Sequence, residues 1–210
     1  MRQRASAGPP KSPGSRETRK RFSRSRKHIC LIGLGSNLGA RESNIRFAVE
    51  RIRRLPSTEL LGISALHRTK AVGPGRQPDY FNAAVRIRTG LSPMGLLIEL
   101  KRIEALRGRR SGKRWRPRVL DCDLLFHGRA RLKRRFITVP HPRALGRAFV
   151  LAPLCDLGPG WVPPLSPRLS VGARLVLLSR RPRTAQAPYG GSARLIRSLC
   201  RSRENVRVPQ

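Results

Sequence analysis

The pattern of apolar and polar positions divides the chain into two strand–helix–strand passages. Ile29 to Leu34 is a short apolar run, broken at Gly33, that ends in the string Gly35-Ser36-Asn37-Leu38-Gly39. That reads as a strand entering a tight turn, with glycines supplying permissive backbone. Residues 43–54 place Ile45, Ala48, Val49 and Ile52 on one face of a helix, with Ser43 as N-cap and Pro56 as the stop. Leu60 to His67 is a second strand, and Arg68 to Asp79 a loop too rich in Gly and Pro for regular structure. Tyr80 to Arg88 alternates cleanly, with Phe81, Ala83, Val85 and Ile87 on one face and Tyr80, Asn82, Ala84 and Arg86 on the other. Ser92-Pro93 opens a second helix whose stripe is Leu96, Leu97, Leu100 and Ile103, and Gly108 closes it.

The next strand, Val119 to Phe126, is apolar except for Asp121 and Asp123. Residues two apart on a strand share a face, so both carboxylates project together while Leu120, Cys122 and Leu124 point the other way. Two such carboxylates repel each other and lose solvation unless positive charge answers them. Mg²⁺ suits the pair, because it takes hard oxygen ligands from one or two carboxylates plus substrate phosphates. Structural ion pairs with arginine are the other solution. Gly128 to Arg135 reads as a basic turn and Ala144 to Leu154 as a short helix. His141 stands between two prolines near Arg143 and Arg147, as a structural loop histidine or a phosphate ligand. Asn82 either caps the preceding loop or reads the edge of a polar ligand. Ser170 to Leu178 is a candidate small element. No internal repeat is present, and the two β-α-β passages predict an α+β sandwich: a mixed or antiparallel sheet with helices against one face.

Composition adjusts this picture at the ends. The net charge of +35, from 46 Lys+Arg against 11 Asp+Glu over 210 residues, points toward polyanionic partners. The arginine excess is spread over the whole chain and marks no single face. Residues 1–28 hold almost no apolar side chain and one acid, Glu17, so they read as a disordered basic tail. Their Arg- and Ser-rich content also matches an organellar transit peptide, but without an apolar face. Residues 29–165 form the predicted domain and 166–210 a basic, poorly ordered extension. Cys30, Cys122, Cys155 and Cys200 are dispersed and suggest neither zinc nor a disulfide framework. No apolar run approaches the ~20 residues that span a bilayer. A cytoplasmic monomer without membrane contact is the expectation.

Several blocks in order resemble the 6-hydroxymethyl-7,8-dihydropterin pyrophosphokinase family. They are Gly35-Ser36-Asn37-Leu38, Arg68-Thr69, Gly73-Pro74, Gln77 through Val85, Arg114-Trp115 through Asp123, Val139-Pro140-His141, Arg147 and Phe149. The resemblance implies a ferredoxin-like α+β fold and transfer of a diphosphoryl group from ATP to the pterin hydroxymethyl, with release of AMP, in folate biosynthesis. It implies that Asp121 and Asp123 hold two Mg²⁺ ions and that Arg109 and Arg118 engage the transferring phosphates. Arg114, Trp115, Leu124, Thr138, His141 and Arg147 look like ATP-site residues, and Thr69, Val72, Tyr80, Asn82 and Phe149 like the pterin pocket. The chain departs from the family at Arg116, where glycine is usual, and in a basic loop, Arg109 to Lys113, about one residue short.

A rival class is a non-enzymatic nucleic-acid-binding protein on a ferredoxin-like sheet. Against it, aromatic residues make up 5% of the chain and no RRM-type aromatic run is present. The polar composition of residues 1–27 generates a first test: deleting them leaves melting temperature and turnover unchanged, and a drop of several degrees on truncation would show that they dock.

Overall fold

The computed structural model describes residues 26–72, 75–109, 116–158, 160, 163 and 170–174. Strand β1 (His28–Ser36) leads through α1 (Arg41–Arg53) to β2 (Thr58–Ile63) and a short β3 (His67–Thr69). Strand β4 (Tyr80–Thr89) leads through α2 (Pro93–Leu106) to β5 (Asp121–His127). A small hairpin of β6 (Leu132–Arg134) and β7 (Ile137–Val139), a 3-10 turn (Ala144–Gly146) and α3 (Ala148–Leu157) follow. The sheet runs β2-β4-β1-β5 with β3 also on β4, and every pairing is antiparallel. Each β-α-β passage therefore returns parallel to its starting strand, with one antiparallel strand between, which is the ferredoxin-like arrangement.

The predicted alternation on β4 decides the layering. Ala83, Val85 and Ile87 join Ile32, Leu34, Cys122 and Leu124 under α1 and α2, whose Ile45, Ala48, Ile52, Leu96, Leu100 and Ile103 complete one core. Full burial of each large aliphatic side chain contributes roughly 1.5–3 kcal/mol. The expectation of helices on one face does not hold. A second core packs Leu31, Ala84, Leu125 and Phe126 against Leu151 and Leu154 of α3, with Val171 buried among them. The register of β5 on β1 shifts between Leu31 and Ile32, leaving Leu125 without a partner. The bulge breaks alternation, so Leu125 and Phe126 both belong to the α3 core.

Several boundaries differ from the sequence reading for identifiable reasons. Helix α1 starts at Arg41 with no side-chain cap, and Ser43 lies within it. The strand expected over Leu60–His67 is two pieces, because in the gap Ser64 Oγ accepts the Ala84 N–H at 2.8 Å in place of a ladder bond. Asp156 of α3 then accepts Ala65 N at 3.0 Å and lies 2.8 Å from His67 Nε2. The predicted start of α2 is confirmed, with Ser92 Oγ accepting Gly95 N at 3.1 Å and Pro93 in the first turn. The predicted basic turn Gly128 to Arg135 contains β6, the first strand of the β6–β7 hairpin, whose exposed Lys133 and Arg134 hid it. The expected helix over Ala144–Leu154 is a 3-10 turn followed by α3. Strand β5 begins two residues after Val119, because the Val119 carbonyl is taken by Ser36 Oγ at 2.6 Å and Asn44 Nδ2 at 2.9 Å.

Candidate functional site

The second core stops short of one end of the sheet, and a cavity of about 220 Å³ opens there. Its floor follows from two glycines two apart on β1. Gly33 pairs with Ala84 and Asp123, and Gly35 with Asn82 and Asp121, so the centre of this face carries no side chain. A Cβ on Gly35 would stand 3.4 Å from Asn82 Oδ1 and 3.9 Å from Asp121 Cβ, inside the cavity. The Gly-x-Gly spacing was the signal that the sequence reading used only as turn chemistry.

Around this floor the structure gathers most of the predicted site. Thr69, Val72, Tyr80, Asn82 and Phe149 line the cavity together with Arg118, Asp121, Asp123 and Arg147. Asn82 Nδ2 donates to Thr69 Oγ1 at 2.8 Å, leaving the Asn82 carbonyl oxygen for another donor. Arg147 lies over the Phe149 ring at 5.3 Å. Lys70, Arg116 and Arg143 also line the wall, three cations not assigned to it from sequence. Arg109 stands behind the wall, on Asp121. Arg114 and Trp115 lie outside the described residues. Thr138 sits on the exposed side of β7 and does not line the cavity. The Leu124 side chain belongs to the core under α1 and α2, so only its main chain is available to a nucleotide.

The two carboxylates have different surroundings. Asp121 accepts from Arg109 Nη1 at 2.6 Å and from Arg118 Nη1 at 2.8 Å. Burial pushes its carboxyl up, but Arg118 and Arg109 outweigh burial and hold it below the usual carboxylate range. Asp123 makes no ion pair among the described residues. Burial, and then the neighbouring Asp121 charge, raises its carboxyl above the usual value. The sequence reading of an unanswered pair thus holds for Asp123 only. Burial lowers the His141 imidazole, with Arg147 and Arg143 adding to the effect against the pull of Asp123. His141 Nδ1 accepts Arg143 N at 3.2 Å, which leaves the ring proton on Nε2.

The Gly35-Ser36-Asn37-Leu38 string serves this site indirectly. Asn37 N donates to the Arg118 carbonyl at 3.0 Å and Asn37 Oδ1 accepts Arg118 N at 2.7 Å, a reciprocal pair that fixes Arg118. Asn44 Nδ2 lies within 3.0 Å of Ser36 Oγ, Leu38 O and Val119 O. The turn therefore spends its polar groups on the approach to β5 rather than presenting them to a phosphate.

Among the described residues no three His, Cys, Asp or Glu side chains gather as a metal cage. Two oxygen donors facing a cavity rich in cations, one of them without an ion-pair partner, nevertheless fit Mg²⁺ that brings phosphate oxygens with it.

A family model described as 7,8-dihydro-6-hydroxymethylpterin-pyrophosphokinase matches residues 31–159. A Synechocystis protein named 2-amino-4-hydroxy-6-hydroxymethyldihydropteridine pyrophosphokinase is 40% identical over 139 residues, 66% of this chain and 71% of that protein. A Haemophilus influenzae protein of the same name is 40% identical over 135 residues, 64% of this chain and 84% of its own length. An Arabidopsis thaliana protein named folate synthesis bifunctional protein, mitochondrial, is 44% identical over 133 residues, covering 63% of this chain and 24% of that one. A crystal structure of Plasmodium falciparum HPPK-DHPS superposes with a TM-score of 0.60 at 12% identity, over 75% of this chain and 46% of that chain, a likeness of fold.

The unequal carboxylates make a paired prediction for the metal-free protein in EDTA. Asp123→Asn raises the melting temperature at pH 7, because an ionised Asp123 with a raised folded pKa opposes folding. That gain shrinks as pH falls through the raised folded value and vanishes below the usual carboxylate range, where the group is protonated in both states. Asp121→Ala, which strips two guanidiniums of their partner, instead costs about 2 kcal/mol at pH 7. A change of the same sign at both sites, or a loss from Asp123→Asn with a gain from Asp121→Ala, would contradict these unequal surroundings.

Proposed function

Because the chain belongs to the 7,8-dihydro-6-hydroxymethylpterin-pyrophosphokinase family, we propose that it transfers the diphosphoryl group of ATP to the hydroxymethyl oxygen of 6-hydroxymethyl-7,8-dihydropterin, releasing AMP, in folate biosynthesis. The observation that carries this reading is a single cavity lined both by aromatic and amide side chains, Tyr80, Asn82 and Phe149, and by charged ones, Asp121, Asp123, Arg118 and Arg147. A flat, polar-edged bicycle suits the first set of side chains and a chain of phosphates with its metal ions the second.

In this reading Phe149 offers a ring face to the pterin while Asn82 Oδ1 accepts from its edge. Thr69 holds that amide by accepting from its nitrogen. Arg109 and Arg118 exchange Asp121 for phosphate oxygens when ATP enters, since bidentate guanidinium–phosphate contacts are strong. Asp121 and Asp123, released from those arginines or never held by them, would hold the two Mg²⁺ ions, whose contribution is to neutralise charge on the transferring phosphates. His141, kept neutral with its proton on Nε2, donates a hydrogen bond to a phosphate oxygen without adding charge. Transfer of this kind needs positioning and charge stabilisation more than covalent help. Cys30 and Cys122 are free thiols and buried, which suits a reducing compartment such as the cytoplasm. No described helix is long and apolar enough to cross a membrane.

The nucleic-acid reading finds little support. A sheet that stacks RNA bases needs an open face, whereas here α1 and α2 cover one face and α3 much of the other.

Incubation with ATP, Mg²⁺ and 6-hydroxymethyl-7,8-dihydropterin should yield one AMP per pterin consumed, and absence of AMP would reject the proposal. Asp121→Ala and Asp123→Ala should each lower turnover about 100-fold or more; near-normal rates in either would reject its metal role. Arg116→Gly should raise turnover, because the long side chain lines the cavity where the family carries glycine. A lower rate with a raised ATP KM would instead make Arg116 a phosphate contact.

A further inference from the structure

Strand β5 ends the sheet among the described residues, so its outer edge pairs with no described strand. An unpaired main-chain amide in a buried setting costs about 1–3 kcal/mol, and an edge held on one side is free to shift. The outer edge at Cys122, buried between the two aspartates, is nevertheless satisfied. Glu104 Oε1 accepts Cys122 N–H at 2.7 Å, and Lys101 Nζ donates to the Cys122 carbonyl at 3.1 Å. Lys101 and Glu104 are one helical turn apart on α2 and bond each other at 2.7 Å. Together they occupy the two main-chain positions that a neighbouring strand would use. The same Glu104 oxygen lies 2.5 Å from Arg109 Nη1, which in turn donates to Asp121. Glu104 is 2% exposed and sits beside Leu100 and Ile103 in the apolar stripe, where a charge needs a reason.

We infer that Glu104, with Lys101, is a positioning device for the reaction: it clamps the edge of β5 at Cys122 and seats Arg109, thereby fixing Asp121 and Asp123 relative to the phosphate-binding arginines. This rests on the function proposed above. Neither side chain needs to touch substrate. The clamp works because α2 is anchored by its own core contacts, so a carboxylate on it is a fixed reference for the strand. Misplacing reacting groups by about 1 Å costs on the order of 100-fold in rate.

The test has two arms, one independent of catalysis. In the ligand-free protein, amide hydrogen exchange by NMR should show the Cys122 amide exchanging at least about tenfold faster in Glu104→Ala, with the amides shared by β1 and β4 unaffected. Glu104→Gln, which keeps a carbonyl acceptor but no charge, should restore Cys122 protection. In steady-state assays Glu104→Ala should lower kcat about 100-fold, with the pterin KM changed less than about threefold. Glu104→Gln should recover kcat only in part, because Arg109 loses its anionic seat. Lys101→Met, which retains the core and the Glu104 acceptor, should lower kcat more mildly.

Unchanged Cys122 exchange in Glu104→Ala would overturn the clamp, as would acceleration spread evenly over all strands, which marks general destabilisation. A normal kcat in soluble Glu104→Ala or Glu104→Gln would overturn the positioning role. Should Glu104→Ala not fold, the Glu104→Gln and Lys101→Met results decide. If the unaltered protein makes no AMP, the functional proposal has failed, and the Cys122 exchange result still decides whether the clamp exists.

Discussion

Everything at this site depends on how a carboxylate on a half-buried strand face is neutralised. Asp121 cannot stay ionised inside a cavity without positive charge, and the protein supplies it from two directions. Arg109 arrives from the end of α2 and Arg118 from the approach to β5. Each is held by something else: Arg109 by Glu104, and Arg118 by its two-way main-chain exchange with Asn37. The short turn after β1, the second helix and the edge strand are thus tied through one ion-paired group. Asp123, two residues away, has no such partner among the described residues.

The cavity itself is a consequence of omission. Gly33 and Gly35 leave the centre of one sheet face bare, and the second core under α3 ends before reaching it. Atoms that would fill this space in an ordinary two-layer sandwich are missing, and the pocket walls come instead from β3, β4, β5 and the start of α3. The pocket's aromatic and amide residues lie on β4 and α3, elements packed into the core, which holds their geometry.

Much of this was legible in the sequence, and the failures have physical causes. The period-two pattern of β4 and of Asp121-Cys122-Asp123 gave faces that the structure reproduces, because burial enforces register. Ser92-Pro93 gave the start of α2 correctly because its capping chemistry is local. The block resemblance brought Thr69, Val72, Tyr80, Asn82 and Phe149 forward, and all five line one cavity although Phe149 lies far from the others in the chain. What escaped was non-local. The side-chain bond from Ser64 to Ala84 splits a strand whose composition reads as continuous. The third helix packs on the face opposite the other two, a fact that no property of its own sequence announces. Glu104 was hidden inside an apolar stripe, though a charge at that helical position was the available signal. The side chain of Leu124 obeys the alternation of β5 and points into the core, as its period-two position predicted.

The central claim is that Asp121 and Asp123 share one cavity with the proposed pterin-binding residues, and that Asp121 gives up its arginine partners to phosphate and takes metal in their place. It is tested most directly by diffraction from crystals grown with Mn²⁺, a non-hydrolysable ATP analogue and 6-hydroxymethylpterin. The account predicts anomalous Mn²⁺ peaks on both aspartates, the pterin ring against Phe149 and Asn82, and Arg118 turned from Asp121 to a phosphate. A pterin bound elsewhere, or an Asp121 still paired with Arg109 and Arg118 and no metal peak beside it, would contradict it.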